Sequence, residues 1–192
     1  DMENMIKNNK DKYKKVIVVG VDKMSSILDY NDRNTCVLFG DGAGAMIIGS
    51  SETQGIISST IGSDGSYKDL LTVNTDLDYI EMKGNDVFKT AVNTLGRLAK
   101  HTLEINNLEQ GELDWLVPHQ ANERIILAIA KKINLPQDKI IITVSRHGNT
   151  SAASIPLAFD DANTKNTFKN GDYIMLEAFG AGFTWGSMLL KY

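Results

Sequence analysis

A single cysteine in 192 residues has no partner for an internal disulfide, which fits a reducing compartment and excludes a disulfide-stapled fold. That cysteine and the three histidines do not fall at zinc-ligand spacing, so no metal is expected. No apolar run reaches the roughly 20 residues that cross a bilayer, and no signal-peptide pattern opens the chain. A membrane role is therefore not expected, and a cytoplasmic location is. No basic tract of the kind that follows phosphate backbones is present, and the formal charge is −4, so nucleic acid is not an expected partner. With three prolines, a flexible linker is not expected either. Methionine is missing from position 1, and the polar stretch Asp1 to Lys15 reads as the tail of a helix and a basic turn. A strand then begins abruptly at Val16, so the chain is expected to start inside a longer polypeptide.

The apolar fraction, 42%, is ordinary for a protein with a substantial core. Val16 to Val21 is a continuous apolar run broken only by Gly20, as in a strand buried on both faces. Asn31 to Asn34 is a polar turn. Cys36 to Phe39 is a second apolar run, leading into Gly40-Asp41-Gly42-Ala43-Gly44. Ala45 to Gly49 and Gly55 to Ile61 are strand candidates, with a polar patch at Ser50 to Gln54 between them. Gly84 to Asn106 carries one apolar stripe (Val87, Phe88, Ala91, Leu95, Leu98, Ala99, Leu103) and predicts a helix. Strands are expected at Leu113 to Val117 and Ile140 to Val144. Helices are expected at Glu123 to Ile133, with Ile125, Ile126, Ile129 and Ile133 inward, and from Ser151 to about Lys165, with Ser151 as N-cap. Tyr173 to Phe179 and Phe183 to Leu190 close the chain. The alternation predicts an α/β layered fold with a largely parallel sheet and an antiparallel closing pair.

Two runs carry chemistry. In Val117-Pro118-His119-Gln120-Ala121-Asn122, a histidine ends a short strand, where α/β sheets gather ligand groups. In Arg146-His147-Gly148-Asn149-Thr150-Ser151-Ala152-Ala153-Ser154, an asparagine sits in a turn before a helix. Each has an ordinary alternative: a loop or core histidine, and a turn asparagine. The glycine-rich Gly40 to Gly44 is not a phosphate loop, because no Gly-Lys-Ser/Thr follows it. Gly180-Ala181-Gly182-Phe183-Thr184-Trp185-Gly186 is a second glycine-rich turn.

Together these runs resemble the histidine and asparagine motifs of the β-ketoacyl-acyl-carrier-protein synthase III family, which are thiolase-fold condensing enzymes. The resemblance covers essentially the whole chain. It implies two similar βαβαβ-type halves with sheets between helix layers. Residues 1–51 would be the remnant of the N-terminal half and 52–192 the C-terminal half. It implies condensation of an acyl-CoA, typically acetyl-CoA, with malonyl-acyl carrier protein, as the first step of fatty-acid synthesis. His119 and Asn149 would donate N–H groups to the enolate left by loss of carbon dioxide, and the backbone at Ala181 would serve the acyl oxyanion. His147 would pack or bond beneath its loop. Coenzyme A and its pantetheine arm would contact Arg33, Leu38, Phe39, Met82, Gly84, Asn85, Phe88, Ala121, Asn122 and Phe179. Lys89, Arg124, Lys131 and Lys132 would form a basic rim for the acidic carrier protein. No cofactor beyond the thioester substrate is implied, and the intact enzyme would be a homodimer.

The family also needs a nucleophilic cysteine, carried upstream of the Val16 strand in an Ala-Cys-Ala-Gly-like motif that is absent here. Cys36, inside an apolar run, reads as a small hydrophobe. Two other readings stay open: a relative making polyketides, quinolones or hydroxymethylglutaryl-CoA on the same scaffold, and a non-catalytic fragment that binds coenzyme A or carrier protein. An apolar face left uncovered by the missing half is expected to associate.

Overall fold

The computed structural model describes residues 14–53, 55–73 and 78–192. The expected helix tail at Asp1 to Lys15 lies almost wholly outside them. Strands β1 (Lys15–Asp22) and β2 (Gly42–Gly49) form an antiparallel ribbon. Strand β3 (Ile56–Ser63) leads through a 3-10 turn at Gly65–Leu70 to the short pair β4 (Leu71–Val73) and β5 (Ile80–Met82). Helix α1 (Gly84–Ile105), β6 (Trp115–Pro118), α2 (Glu123–Lys132), the single turn α3 (Val144–His147), α4 (Ser154–Thr164), β7 (Tyr173–Gly180) and β8 (Thr184–Lys191) follow.

The central sheet has the order β3-β8-β7-β6. Its alternation sorts side chains into two cores. Leu116, Met175 and Leu189 face α1 and α2, while Val117 and Ile174 face α4. A strand covered on both sides must be apolar at consecutive positions, and Leu116 and Val117 are both fully buried. The predicted stripe of α1 is the face that packs on the sheet; Val87, Ala91, Leu95, Leu98, Ala99 and Leu103 are buried. Each of its three leucines contributes about 1.5–3 kcal/mol by leaving water. Thr102 adds a polar anchor, donating to Leu98 O or sharing its hydroxyl with Ser187 of β8. All four isoleucines predicted to point inward from α2 are buried.

Several expectations are corrected. The sheet is not largely parallel: β6–β7 is its one parallel pair, and β3–β8 and β7–β8 are antiparallel. Ile140 to Val144 is no strand; Ile140 makes a lone bridge to Leu116, and Val144 already starts α3. Cys36 to Phe39 is a turn ending in a bridge from Phe39 to Asn149. The β1 run is not buried on both faces. Ile17, Val19 and Val21 are about 60% exposed, because among the described residues β1 pairs with β2 alone and only one face of the ribbon is covered. Ser151 is no N-cap; it opens a 3-10 turn at φ 51°, and α4 begins at Ser154.

The ribbon sits against residues 150–156 because its glycines allow it. A Cβ on Gly20 would stand 2.3 Å from Ala152 O, and one on Gly42 would stand 2.8 Å from Thr150 Cβ. Asp22 closes the contact by accepting from Ala152 N at 2.9 Å. Gly20→Ala should therefore destabilise the fold by about 2–3 kcal/mol, at the upper end for an overpacked site. Gly111→Ala, with nothing near its Cβ position, should change stability by less than about 0.5 kcal/mol. Urea unfolding of the two variants makes the comparison.

Candidate active site

His119 follows β6 directly, and its backbone N–H donates to Glu177 O at 2.7 Å, one residue beyond the β6–β7 ladder. The imidazole packs edge-on against Phe179 with ring centroids 5.7 Å apart. Its Nδ1 lies 2.6 Å from Ser154 Oγ, the first residue of α4. Ser154 Oγ also accepts from Gln120 N at 3.2 Å, so its own proton is available for His119 Nδ1. That arrangement leaves Nε2 as the protonated nitrogen. Burial lowers the imidazole pKa to about 4, so the ring is neutral near pH 7.

Gln120 ties the histidine loop to the asparagine loop. Its side chain is buried, and every hydrogen-bonding capacity of the amide is engaged. Oε1 accepts from Thr143 N and Val144 N at 2.7 and 3.1 Å; Nε2 donates to Pro118 O and Ile141 O at 2.7 and 3.1 Å. Thr143 and Val144 open the turn α3, which ends at Gly148 with φ 69°. Asn149 follows. Its N–H donates to Leu38 O, and its carbonyl accepts from Gly40 N. Its Oδ1 accepts from Ser151 N at 3.0 Å, which holds Ser151 in the left-handed region that L residues otherwise avoid. With Oδ1 occupied, the NH2 group is the end of this amide free for a ligand.

His119 and Asn149 border one cavity of about 960 Å³ at the C-terminal end of β6 and β7. Leu38, Phe39, Met82, Gly84, Asn85 and Phe88 line it from one side. Ala121, Asn122, Arg124, Phe179 and Ala181 line it from the other. Ala181 is not among the residues with positive φ, so alanine at this position carries no backbone strain. Arg124 lies over the Phe88 ring, 5.7 Å from its centroid. Arg33 is exposed between two lining residues, Asp32 and Asn34. Lys89 and Lys131 are exposed on α1 and α2. Lys132 stands apart from the cavity; its Nζ donates to Asn93 Oδ1 at 2.6 Å and its stem crosses Gly96. Cys36 is half-buried, outside the lining, with Sγ 3.9 Å from Tyr30 O. His147 is half-buried, and its Nδ1 is buried without a partner. No group of three or more metal-ligating side chains occurs among the described residues, and no helix there is long and apolar enough to cross a membrane.

Sequence reasoning assigned no role to Gln120, Ser154 or Glu177. The first two stand inside the motifs but bond across the fold, a relation that spacing along the chain does not encode. Glu177 is buried on β7 with neither carboxyl oxygen partnered, and desolvation raises its pKa well above the usual range. A charged residue inside an apolar strand was the available signal.

Comparison with known proteins matches residues 2–65 to the family model described as 3-oxoacyl-[acyl-carrier-protein (ACP)] synthase III, and residues 103–192 to its C-terminal model. The chain is 54% identical over 187 residues to the beta-ketoacyl-[acyl-carrier-protein] synthase III of Thioalkalivibrio sulfidiphilus, covering 92% of this chain and 58% of that protein. It is 51% identical to the protein of the same name from Blochmanniella pennsylvanica, covering 99% and 62%. Among solved structures it is similar to 3-oxoacyl-[acyl-carrier-protein] synthase III from Aquifex aeolicus, with TM-score 0.94, 41% identity and coverage of 100% and 62%. The Pseudomonas aeruginosa enzyme of that name gives TM-score 0.92 at 35% identity, covering 100% and 62%. The chain thus spans about three fifths of the length of the relatives it matches.

The two buried titratable groups make opposite predictions. His119, with its pKa lowered in the fold to about 4, costs stability as pH falls below about 6.5, by up to about 3 kcal/mol near pH 4. Glu177, with its pKa raised, stabilises fully below its unfolded value near 4.5 and loses that contribution as pH rises through its folded pKa. Glu177→Gln should therefore be more stable than the parent at pH 8 and equal to it near pH 4. Histidine NMR should give a His119 midpoint near 4 with Nε2 protonated. In Ser154→Ala a mixture of tautomers is expected; an unchanged single tautomer there would remove Ser154 from the tautomer's control.

Proposed function

We propose a function on the premise that this chain belongs to the 3-oxoacyl-[acyl-carrier-protein] synthase III family. The whole protein condenses an acyl-CoA, with acetyl-CoA as the starter, with malonyl-acyl carrier protein, and so begins fatty-acid synthesis. In this reading residues 1–51 belong to the N-terminal thiolase-like half and 52–192 form the C-terminal half. The protein is cytoplasmic and homodimeric and uses no cofactor beyond its thioester substrates.

The observation that carries the reading is the pair of neutral N–H donors on one cavity. His119 has Nδ1 engaged by Ser154, and Asn149 has Oδ1 engaged by Ser151 N. A positively charged imidazole would pair with the malonyl carboxylate and hold it in place. A neutral ring instead interacts strongly only with the charge that develops. When the bond to the carboxylate breaks, carbon dioxide leaves and its electron pair passes into the thioester, giving an enolate oxygen. Nε2–H of His119 and the Asn149 amide donate to that oxygen. The enolate carbon then attacks the acyl carbon held on a cysteine, the carbon–carbon bond forms, and the thiolate leaves. In this reading that cysteine belongs to a part of the protein outside this chain, and the position of Cys36 away from the cavity lining supports it. The backbone at Ala181 serves the oxyanion of the acyl group. Arg33 and the apolar lining at Leu38, Phe39, Met82 and Phe88 take the coenzyme A and pantetheine portions, and Lys89, Arg124, Lys131 and Lys132 attract the acidic carrier protein.

His119→Ala and Asn149→Ala in the whole protein should each slow decarboxylation about a hundred- to a thousandfold, the cost of one oxyanion donor. Transfer of labelled acetyl to the cysteine should fall much less. Measuring carbon dioxide release and acetyl transfer separately makes the test, and equal loss in both would mean that these residues serve the cysteine. The 192-residue chain alone should form no ketone product. Robust product that disappears in Cys36→Ser would make Cys36 the nucleophile.

A further inference from the structure

Helix α3 is the element of the site least able to hold itself. It is a single turn, and none of its four residues is buried. Only Val144 reaches the main hydrophobic core, and it is half-buried there. One helical turn is not stable by its own hydrogen bonds. Yet this turn delivers the chain to Asn149. His147 N donates to Thr143 O and Gly148 N to Val144 O, and Asn149 follows directly on the left-handed Gly148.

Polar contacts hold α3 in place. At its start, Gln120 Oε1 accepts from Thr143 N and Val144 N. Near its end, a guanidinium nitrogen of Arg146 lies 2.7 Å from Asp161 Oδ2 on α4. The Asp161 side chain is 18% exposed and that of Arg146 48%, so the carboxylate is the anchored partner and the arginine reaches to it. Lys165 Nζ lies 2.7 Å from the same oxygen, but Lys165 stands one turn on from Asp161 and ties α4 only to its own chain end. Hydrogen bonds from Lys165 and Arg146 outweigh burial and hold the Asp161 carboxyl below the usual range, so it is charged near neutral pH.

Asp161 comes seven residues after Ser154, so the two share one face of α4. Ser154 Oγ meets His119 Nδ1, and Asp161 meets the arginine that stands three residues before Asn149. One helix thus touches both halves of the donor pair. We infer that Arg146 is a positioning residue for decarboxylation: by pairing with Asp161 it fixes α3 against α4, and so sets the direction in which the Asn149 amide enters the cavity beside His119. The inference rests on the function proposed above, which gives that amide its N–H role. The backbone bonds of Asn149 to Leu38 O and Gly40 N hold the loop along one edge; the Arg146–Asp161 pair holds it from the side of α4. Orientation at a reacting centre is sensitive, and a misplacement of about 1 Å can cost about a hundredfold in rate. An ion pair this exposed adds little to stability, so its loss should show in rate and not in unfolding.

The test uses the whole protein. In Arg146→Met, carbon dioxide release from malonyl-acyl carrier protein should fall about tenfold or more in kcat. Its KM should change less than about twofold, because Arg146 lies outside the cavity lining. Transfer of labelled acetyl to the cysteine should stay within about twofold of the parent. Asp161→Asn, a second route to the same loss, should show the same split between the half-reactions. Arg146→Lys, which restores the charge without the planar fork, should recover part of the decarboxylation. Lys165→Met removes the other cation from the same carboxylate oxygen and should leave both half-reactions near the parent. Urea midpoints of Arg146→Met and Lys165→Met should agree. If Arg146→Met slows both half-reactions equally, or unfolds at clearly lower urea than Lys165→Met, the residue serves the fold and the inference fails. Decarboxylation unchanged in both Arg146→Met and Asp161→Asn would also overturn it, with the proposed function intact. If the parent releases no carbon dioxide, or Asn149→Ala releases it as fast as the parent, the proposed function itself has failed.

Discussion

The rest of the site depends on the buried amide of Gln120. An amide taken out of water has to find partners for both ends, or it costs more than it contributes. Here the partners are the carbonyls of Pro118 and Ile141 and the N–H groups of Thr143 and Val144. These belong to the histidine loop and to the segment that leads to Asn149. One side chain thus sets the spacing of two loops that are distant in sequence. A glutamate of the same shape could accept the two N–H bonds but not donate to the two carbonyls, so the chemistry of the position is amide and not merely polar.

Charge is kept out of the interior of the site in two ways. Desolvation holds His119 neutral by lowering its pKa, and shifts Glu177 toward its neutral form by raising its own. The two residues meet through the backbone, where His119 N–H donates to Glu177 O. A neutral surround lets a small dipole such as an imidazole N–H act strongly on a charge that appears nearby, because little else competes for it. The cations, by contrast, lie outside, on the exposed faces of α1 and α2. The division suits the two tasks of the proposed function: attraction of a large partner over distance, and stabilisation of a transient charge at contact.

Much of this was legible in the sequence. The 3.6-residue stripe of α1 and the four isoleucines of α2 marked their buried faces, since periodicity reports which side of an element is dry. The motif around His119 and the motif around Asn149 marked the cavity. The failures have different causes. The apolar run of β1 signalled burial on both faces, and among the described residues the structure has a second strand on one edge and nothing over the outer face. Ser151 has the composition of an N-cap, yet the hydrogen bond from its N–H to Asn149 Oδ1 puts it in a left-handed turn. The parallel sheet was read from the alternation of elements, but β3 enters beside β8 and makes the sheet mostly antiparallel. Only the β3–β8 pairing is a contact between distant segments that overrode a local reading; Ser151 is set by a bond two residues away, and β1 by a face that no described residue covers.

The contact of the β1–β2 ribbon with residues 150–156 also bears on the order in which the chain folds. Asp22 and Ala152 are 130 residues apart when they bond, and Gly20 meets the backbone of the same residue. Closing so long a loop is slow relative to forming α1 or the β7–β8 hairpin, whose contacts are local. The asparagine loop rests on that contact, so it reaches its final shape late. Asp22 of the ribbon is made 130 residues before Ala152, so the contact forms only once most of the described chain is available.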